Sequence, residues 1–547
     1  MIHRLFAFCG LIFAAASVLW LSGCGKSDSP SAAPEKSAGV SISNSQPATV
    51  PVLRVHWLGK KKLAADVTAT NFMTLWHLPE SAKLEAQTLD KLATAPWRLL
   101  PAATPLSNAP VASLRPLLDD LVQEESYLEI HPAPNRPTEL VFAIRLDESR
   151  AALWQTNLAA VLESLTGLKS VATAGGWSLR KHDAPDFWQF SRIQDWTLLA
   201  ASTGEANQLL TVVQARLRQD HVPFVASATN SWLEAEVPLG SLPRAFFAPG
   251  LDRDLPTLHF TVAGEDGGVR LRGEAVFTPT LPPIFTEAWQ IPTNLIHDPL
   301  GAFTAVRGLK AIFPLTPFLP AAMGPVPNQF FSWSIAASPF ETFFAWPAAD
   351  ASNRVSQLSD FILTSGGSFL ATNGTTLTRM TNATGLIWAN LPFLQPWLQS
   401  MDTPAGSFVA GGYVPSLRTN RPAPPELLAQ LRTDADLVYY DWEFTGSRIE
   451  AWIYLGQTLR LSFNKSQLPP QSAAGEWIQA LIPRLGNTGT GVSRRGDHEL
   501  TFTRKGDLGL TGLEVHLLAD WLEAPNFPAG WHTLDVPPAT PIKVRRH

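Results

Sequence analysis

Apolar residues recur along this chain with two periods, and the switching between them marks out its elements. Thr138 to Leu146 is a strand-like run, and Asp147 to Leu165 puts Leu153, Trp154, Leu158, Val161, Leu162 and Leu165 on one helical face. Strands are expected at Trp177–Lys181, Phe187–Ile193 and Trp196–Ala201, then a helix from Gly204 to Arg218 with Leu209, Leu210, Val213 and Leu217 on its apolar side. Further strands follow at Trp232–Val237, Leu258–Ala263 and Val269–Phe277. Pro282 and Pro283 then punctuate the chain, and an irregular, Pro-rich stretch is expected to about Asn328. After it the alternation resumes, with strands at Phe330–Ile335 and Thr342–Trp346 and helices at Ala351–Ile362, Pro425–Leu431 and Ala474–Leu485. The similar order on either side of residue 285 predicts an α+β fold of two related halves, each of mainly antiparallel sheet with packed helices. No residue-level repeat accompanies it.

The sharpest local prediction is a hairpin at Leu258 to Phe277. Asp266-Gly267 suits a two-residue turn, which needs positive φ at both central positions. That loop sets Val262 opposite Leu271, Phe260 opposite Gly273 and Leu258 opposite Ala275 on an apolar face, with His259–Glu274 and Thr261–Arg272 on the other.

The N-terminus has a different character. His3 and Arg4 precede an uncharged apolar run from Leu5 to Leu21, which leads into Leu21-Ser22-Gly23-Cys24. This tetrapeptide resembles the lipobox of bacterial lipoproteins. The resemblance implies a signal peptide over residues 1–23, lipid on Cys24 and cleavage just before it, and Gly25 after the cysteine implies sorting to the outer membrane. An uncleaved membrane helix is the alternative, since the run is near the lower limit of about 17 residues for a span. Residues 24–50, rich in Ser, Ala, Pro, Gly and Lys, read as the lipidated cysteine and a flexible tether reaching on the order of 25–30 Å. The body then divides into expected domains at 51–285 and 286–547.

Composition adds constraints. The chain has two cysteines, Cys9 in the removed segment and Cys24, so no disulfide is expected and stability must come from a core built of the 45 % hydrophobic residues. The formal net charge of −5 has no basic stripe, which argues against a nucleic-acid partner. Nineteen Trp and 29 Phe against 5 Tyr supply aromatic surface for packing, or for an apolar ligand or glycan. The stretch His56-Trp-Leu-Gly-Lys-Lys-Lys-Leu-Ala-Ala-Asp66, with Leu78-Pro-Glu-Ser81, Leu89-Asp-Lys-Leu92 and Pro96-Trp-Arg-Leu-Leu100, resembles uncharacterised exported proteins of Gram-negative bacteria and their domains of unknown function. That resemblance implies neither an activity nor a site residue.

Catalytic motifs are missing from the sequence. There is no Gly-x-Ser-x-Gly, phosphate-cradling loop, His-Glu-x-x-His or Asp-rich calcium loop, so no cofactor or metal is expected. Carboxylates are the remaining candidates. The apolar face of Leu114 to Val122 leaves Asp119, Asp120 and Glu124 on an expected solvated face. In Tyr439-Tyr-Asp-Trp-Glu-Phe444, period two puts Tyr439, Asp441 and Glu443 on one face. If Thr445-Gly446 were a hairpin loop, Glu443 would face Arg448, Trp442 would face Ile449 and Asp441 would face Glu450, the last pair opposing like charges. The polar-site candidates are therefore Asp441, Glu443, Arg448 and Glu450, on a face expected to be exposed and structural.

The functional expectation is a lipid-anchored, non-enzymatic envelope protein that acts as a scaffold or partner-binding module, with envelope proteins or glycans as candidate partners. The alternatives are a binder of an apolar ligand or glycan, and a carboxylate-dependent hydrolase.

Overall fold

A computed structural model describes residues 52–530 and 532, except 101, 132–136, 182–186, 220–230, 242–254, 313–325, 336–339, 373–375, 381–384, 391–393, 415–420 and 464–467. Cys24, the signal segment and the tether lie outside the described residues.

The first half contributes β1 (Leu53–Trp57), β2 (Ser126–His131), β3 (Glu139–Arg145), β4 (Val171–Thr173), β5 (Gly176–Arg180), β6 (Phe187–Ile193), β7 (Trp196–Ser202), β8 (Leu233–Pro238), β9 (Thr257–Glu265) and β10 (Gly268–Val276). The second contributes β11 (Leu300–Arg307), β12 (Gln329–Ile335), β13 (Thr342–Pro347), β14 (Thr376–Arg379), β15 (Gly385–Ala389), β16 (Trp397–Thr403), β17 (Gly406–Gly412), β18 (Leu437–Phe444), β19 (Asn487–Arg494) and β20 (Glu499–Gly506). All pair antiparallel. The first half runs β4-β5-β6-β7-β3-β2-β1-β8-β9-β10. The second repeats that order as β14-β15-β16-β17-β13-β12-β11-β18-β19-β20. The two are joined edge to edge where β10 pairs with β20, from Val269↔Gly506 to Val276↔Glu499. The fold is thus α+β, with two halves of like topology fused in one sheet.

The hairpin of β9 and β10 has the register read from its turn, with Val262 opposite Leu271 and Phe260 opposite Gly273. Asp266 and Gly267 take φ of 52° and 74°, as that turn requires. Strand β11 forms inside the stretch expected to be irregular, and β1, β2 and β4 form where no strand is expected. The pairing of β11 with β12 and β18, both distant in sequence, carries no local signal.

Helices cover both faces. In the first half these are α1 (Lys60–Leu63), α2 (Thr70–Trp76), α3 (Pro79–Leu99), α4 (Val111–Gln123), α5 (Glu148–Thr166) and α6 (Gln208–Arg218). The second half adds α7 (Leu309–Ile312), α8 (Ala351–Thr372), α9 (Pro425–Thr433), α10 (Thr445–Phe463), α11 (Ala473–Leu481) and α12 (Gly512–Glu523). Caps fix several ends. Asp147 accepts a hydrogen bond from the Arg150 N–H at the start of α5, and α6 begins four residues later than expected because Asn207 caps it. Among the described residues no helix is long and apolar enough to cross a membrane.

Following cross-strand partners across the sheet shows α5 and α8 on one face and α6 and α9 on the other. Each half fills the opposite face of its central strands. In the first half Val55, Leu128 and Leu233 join the core under α5, while His56, Glu129 and Glu234 lie buried on the α6 face. In the second half Phe303, Phe331 and Trp442 pack with α9, while Thr304, Asp441 and Thr490 face the other way. Ionic partners satisfy the first half's polar face: Lys62, Arg145 and His56 surround Glu125, and Arg216, Tyr127 and His131 surround Glu129. Burial alone would raise both carboxyls, but these hydrogen bonds hold each at about 2.

The helix face expected to be solvated is only partly so. Asp120 is buried, where it accepts from the Arg150 Nη2 and Trp154 Nε1 groups of α5, both at 2.7 Å. A partner thirty residues away turns a polar position inward.

Gly273 sits where the sheet of one half meets that of the other, between Phe260 and Phe502. A Cβ there would lie 2.3 Å from the His259 carbonyl oxygen and 2.5 Å from Phe502. Gly273→Val is therefore expected to lower unfolding stability by about 2 kcal/mol or more, read from the guanidinium chloride midpoint. An unchanged midpoint would contradict the close approach at the seam.

Candidate functional site

The sequence candidates converge only in part. Strand β18 is held between β11 and β19, which places Asp441 opposite Thr304 and Thr490, and Glu443 opposite Ala302 and Thr488. The expected hairpin at Thr445-Gly446 does not form. Neither residue takes positive φ, and the chain turns directly into α10. Arg448 and Glu450 therefore ride on a helix, and the cross-strand pairs Trp442–Ile449 and Asp441–Glu450 are absent. Arg448 still reaches Glu443, at 4.0 Å, whereas Glu450 is exposed.

The expected exposed face is a buried one. Asp441 is 8 % exposed and Glu443 4 %, with α10 packed on β18 and the start of α12 reaching Glu443. Thr304 Oγ1 donates to Asp441 Oδ1 at 2.6 Å, and the Gly512 N–H at the start of α12 donates to Glu443 Oε1 at 2.5 Å. Nearby, Arg504 holds Glu514 through Nη1 at 3.0 and 2.9 Å and donates from Nε to Thr490 at 2.6 Å. Burial raises the Asp441 carboxyl above its ordinary value despite the Thr304 hydrogen bond and the charges of Arg504 and Arg448. Burial, with Asp441 next to it, pushes Glu443 up to about 7 against the Gly512 N–H and Arg448. This arrangement can hold a proton near neutrality. Two cavities of the fold lie apart from this pair, and neither carboxylate lines them.

The larger of these, about 720 Å³, is a polar recess beside Trp289, Arg307 and Arg432. Its buried Arg307 already donates to the carbonyls of Leu437, Glu287 and Ala435. The other is apolar, about 190 Å³, and lies on the same face of the sheet as Asp441. Val55, Trp57 and Leu233 form its floor. Helices α2, α3 and α4 supply Phe72, Trp76, Leu84, Leu89, Leu92 and Leu118, and the far end of the chain closes it with Trp477, Leu510, Leu518, Leu522 and Phe527. Half-buried Trp57, Trp76, Leu121 and Leu508 mark its mouth, while Leu92, Leu518, Leu522 and Phe527 are buried at its blind end.

No family model, curated protein or solved structure matches the chain. The site must be read from its own chemistry. Among the described residues no group of three or more His, Cys, Asp or Glu could hold a metal ion. Of the cavity residues, Leu118, Leu121 and Val122 belong to the apolar helix face read at Leu114 to Val122, and Leu84, Leu89 and Leu92 recur at helical spacing along Pro79–Leu99. Such spacing by itself says packing.

The raised carboxyl gives a signed prediction. A folded-state value near 7 against an ordinary 4.5 means the folded protein holds this proton more tightly, so Glu443 reduces stability as pH rises from about 4.5 through 7. Glu443→Gln keeps an acceptor for the Gly512 N–H and cannot ionise. It should raise the melting temperature at pH 8, by the equivalent of on the order of 2 kcal/mol, and change it little at pH 4.5. A loss of stability at pH 8 would refute this account of the site.

Proposed function

We propose that the protein is a non-enzymatic, lipid-anchored envelope protein that binds one apolar chain in the cavity between its two halves. The observation that carries this reading is the cavity itself. Its wall is almost wholly apolar over a space of about 190 Å³, so water inside it has few hydrogen-bond partners. Apolar cavities of this order stay dry and accept apolar guests. A scaffold would have no use for such a space, so the ligand-binding alternative is preferred to it. The aromatic wealth of the sequence fits this reading, since Trp57, Phe72, Trp76, Trp477 and Phe527 all line the cavity.

Anchoring is part of the same proposal. Lipid on Cys24 would hold the body in the envelope, with the outer membrane facing the periplasm as the proposed address, and would keep the cavity within a tether's reach of a bilayer. Cys24→Ala is expected to abolish labelling by a clickable fatty acid and to block maturation. Continued labelling and normal processing would remove the anchor from the proposal.

A second reading, a carboxylate-dependent hydrolase, is favoured only by the Glu443 value near 7. Glycosidase, esterase or peptidase turnover that disappears in Asp441→Asn/Glu443→Gln while the melting temperature does not fall would establish it.

The binding reading is tested with the uncharged apolar dye N-phenylnaphthylamine. Wild-type protein should enhance its fluorescence saturably, and Leu89→Trp, which fills the cavity from α3, should abolish the enhancement while keeping the circular dichroism spectrum. Absence of binding by wild type, or equal binding by both proteins, would refute the reading.

A further inference from the structure

The cavity is polarised along its length, and its mouth is electrically balanced. Helix α3 lines it with Ser81, Leu84, Glu85, Thr88, Leu89 and Leu92. From Glu85 to Leu92 the helix rises about 10 Å, from a charged rim to a wholly apolar end. At the rim, Glu85 Oε2 accepts from Lys60 Nζ at 2.7 Å and from Trp76 Nε1 at 2.6 Å, and the Lys60 ammonium lies 4.7 Å from the Trp76 ring centre. Lys60 is 12 % exposed and Glu85 24 %, so both are partly withdrawn from water. The next lysine of α1 is paired in the same way, Lys61 with Glu124 at 3.1 Å. Both of these lysines thus face a carboxylate.

Such a rim has no surplus charge to offer. An anionic head that approached Lys60 would meet Glu85 on the same ammonium, and its gain would be offset by like-charge repulsion. A head without net charge meets both donors and acceptors at the rim, and the amphipathic Trp57 and Trp76 suit the boundary between chain and head. We infer that the ligand is a single-chain amphiphile with an uncharged head, its chain lying along α3 towards Leu92 and its head at the Lys60–Glu85–Trp76 mouth. This rests on the apolar-chain reading and specifies which chain-bearing molecules the site prefers.

The test compares two ligands with one eight-carbon chain, matched to the length of the cavity: monooctanoylglycerol and octanoate, added below their micellar concentrations at pH 8 to the full-length protein held in amphipol. Affinity is read by isothermal titration and by the shift in melting temperature. Wild type should prefer monooctanoylglycerol by about fivefold. Glu85→Gln frees the Lys60 ammonium and should reverse that order, and Lys60→Met/Glu85→Gln, which restores the balance, should return it to the wild-type preference. Should Glu85→Gln fail to fold, Lys60→Met leaves Glu85 alone at the mouth and should weaken octanoate further without weakening monooctanoylglycerol. Tighter octanoate binding by wild type, or an order indifferent to these substitutions, would overturn the inference and leave the apolar-chain reading standing. Binding of neither ligand would remove that reading together with the inference.

Discussion

The antiparallel pairing of β10 with β20 is the constraint on which the rest of the structure depends. Eight residue pairs, Val269↔Gly506 through Val276↔Glu499, join the two halves edge to edge. Because the seam is antiparallel and the halves share one strand order, corresponding helices fall on the same face of the sheet, α5 with α8 and α6 with α9. The seam also covers an edge that each half would otherwise expose to association. Connections that differ between the halves then meet near the middle of one face. Helices α1 to α4 come from the crossover between β1 and β2, while α10, α11 and α12 follow β18 and β20. Their shared apolar contacts, Leu89, Leu92 and Trp97 with Ile478, Leu518 and Leu522, make the helical layer continuous across the join. The apolar cavity is the space this layer leaves above β1 and β8.

One row of cross-strand partners connects the cavity to the buried carboxylates: Trp57, Leu233, Val262, Leu271, Arg504, Thr490, Asp441. From Leu233 to Asp441 it crosses five strand spacings, about 24 Å. Helix α12 covers much of that distance. Its first N–H group meets Glu443, and its Leu518 and Leu522 line the cavity. A capping box of Thr511 and Glu514, with Arg504 on Glu514, holds the same helix end. The ionisable site is thus explained as a support for the wall of the cavity, in a half whose central strands present polar residues where the first half presents apolar ones.

The sequence discloses what local chemistry determines. The β9–β10 register follows from Asp266-Gly267 and the alternation around it, and the strand and helix order on either side of residue 285 foreshadows the duplicated topology. What it conceals is set by partners far along the chain. Asp441 accepts from Thr304 of β11, Glu443 meets the start of α12 some seventy residues later, and Asp120 is drawn inward by Arg150 and Trp154. Thr445-Gly446 resembles a hairpin loop only while β18 lacks its true neighbours, β11 and β19. The cavity is the extreme case, since nearly two thirds of its wall comes from residues 55–122 and most of the rest from 477–527. Each lining residue alone has the signature of an ordinary core position.

The account stands on a chain of apolar atoms occupying that space in the working protein. Native mass spectrometry of protein purified from the cells that make it, without delipidation, tests this directly. The predicted spectrum shows one bound amphiphile per protein molecule, lost in Leu89→Trp. A spectrum with only the unliganded mass, or an adduct that persists unchanged in Leu89→Trp, would contradict it.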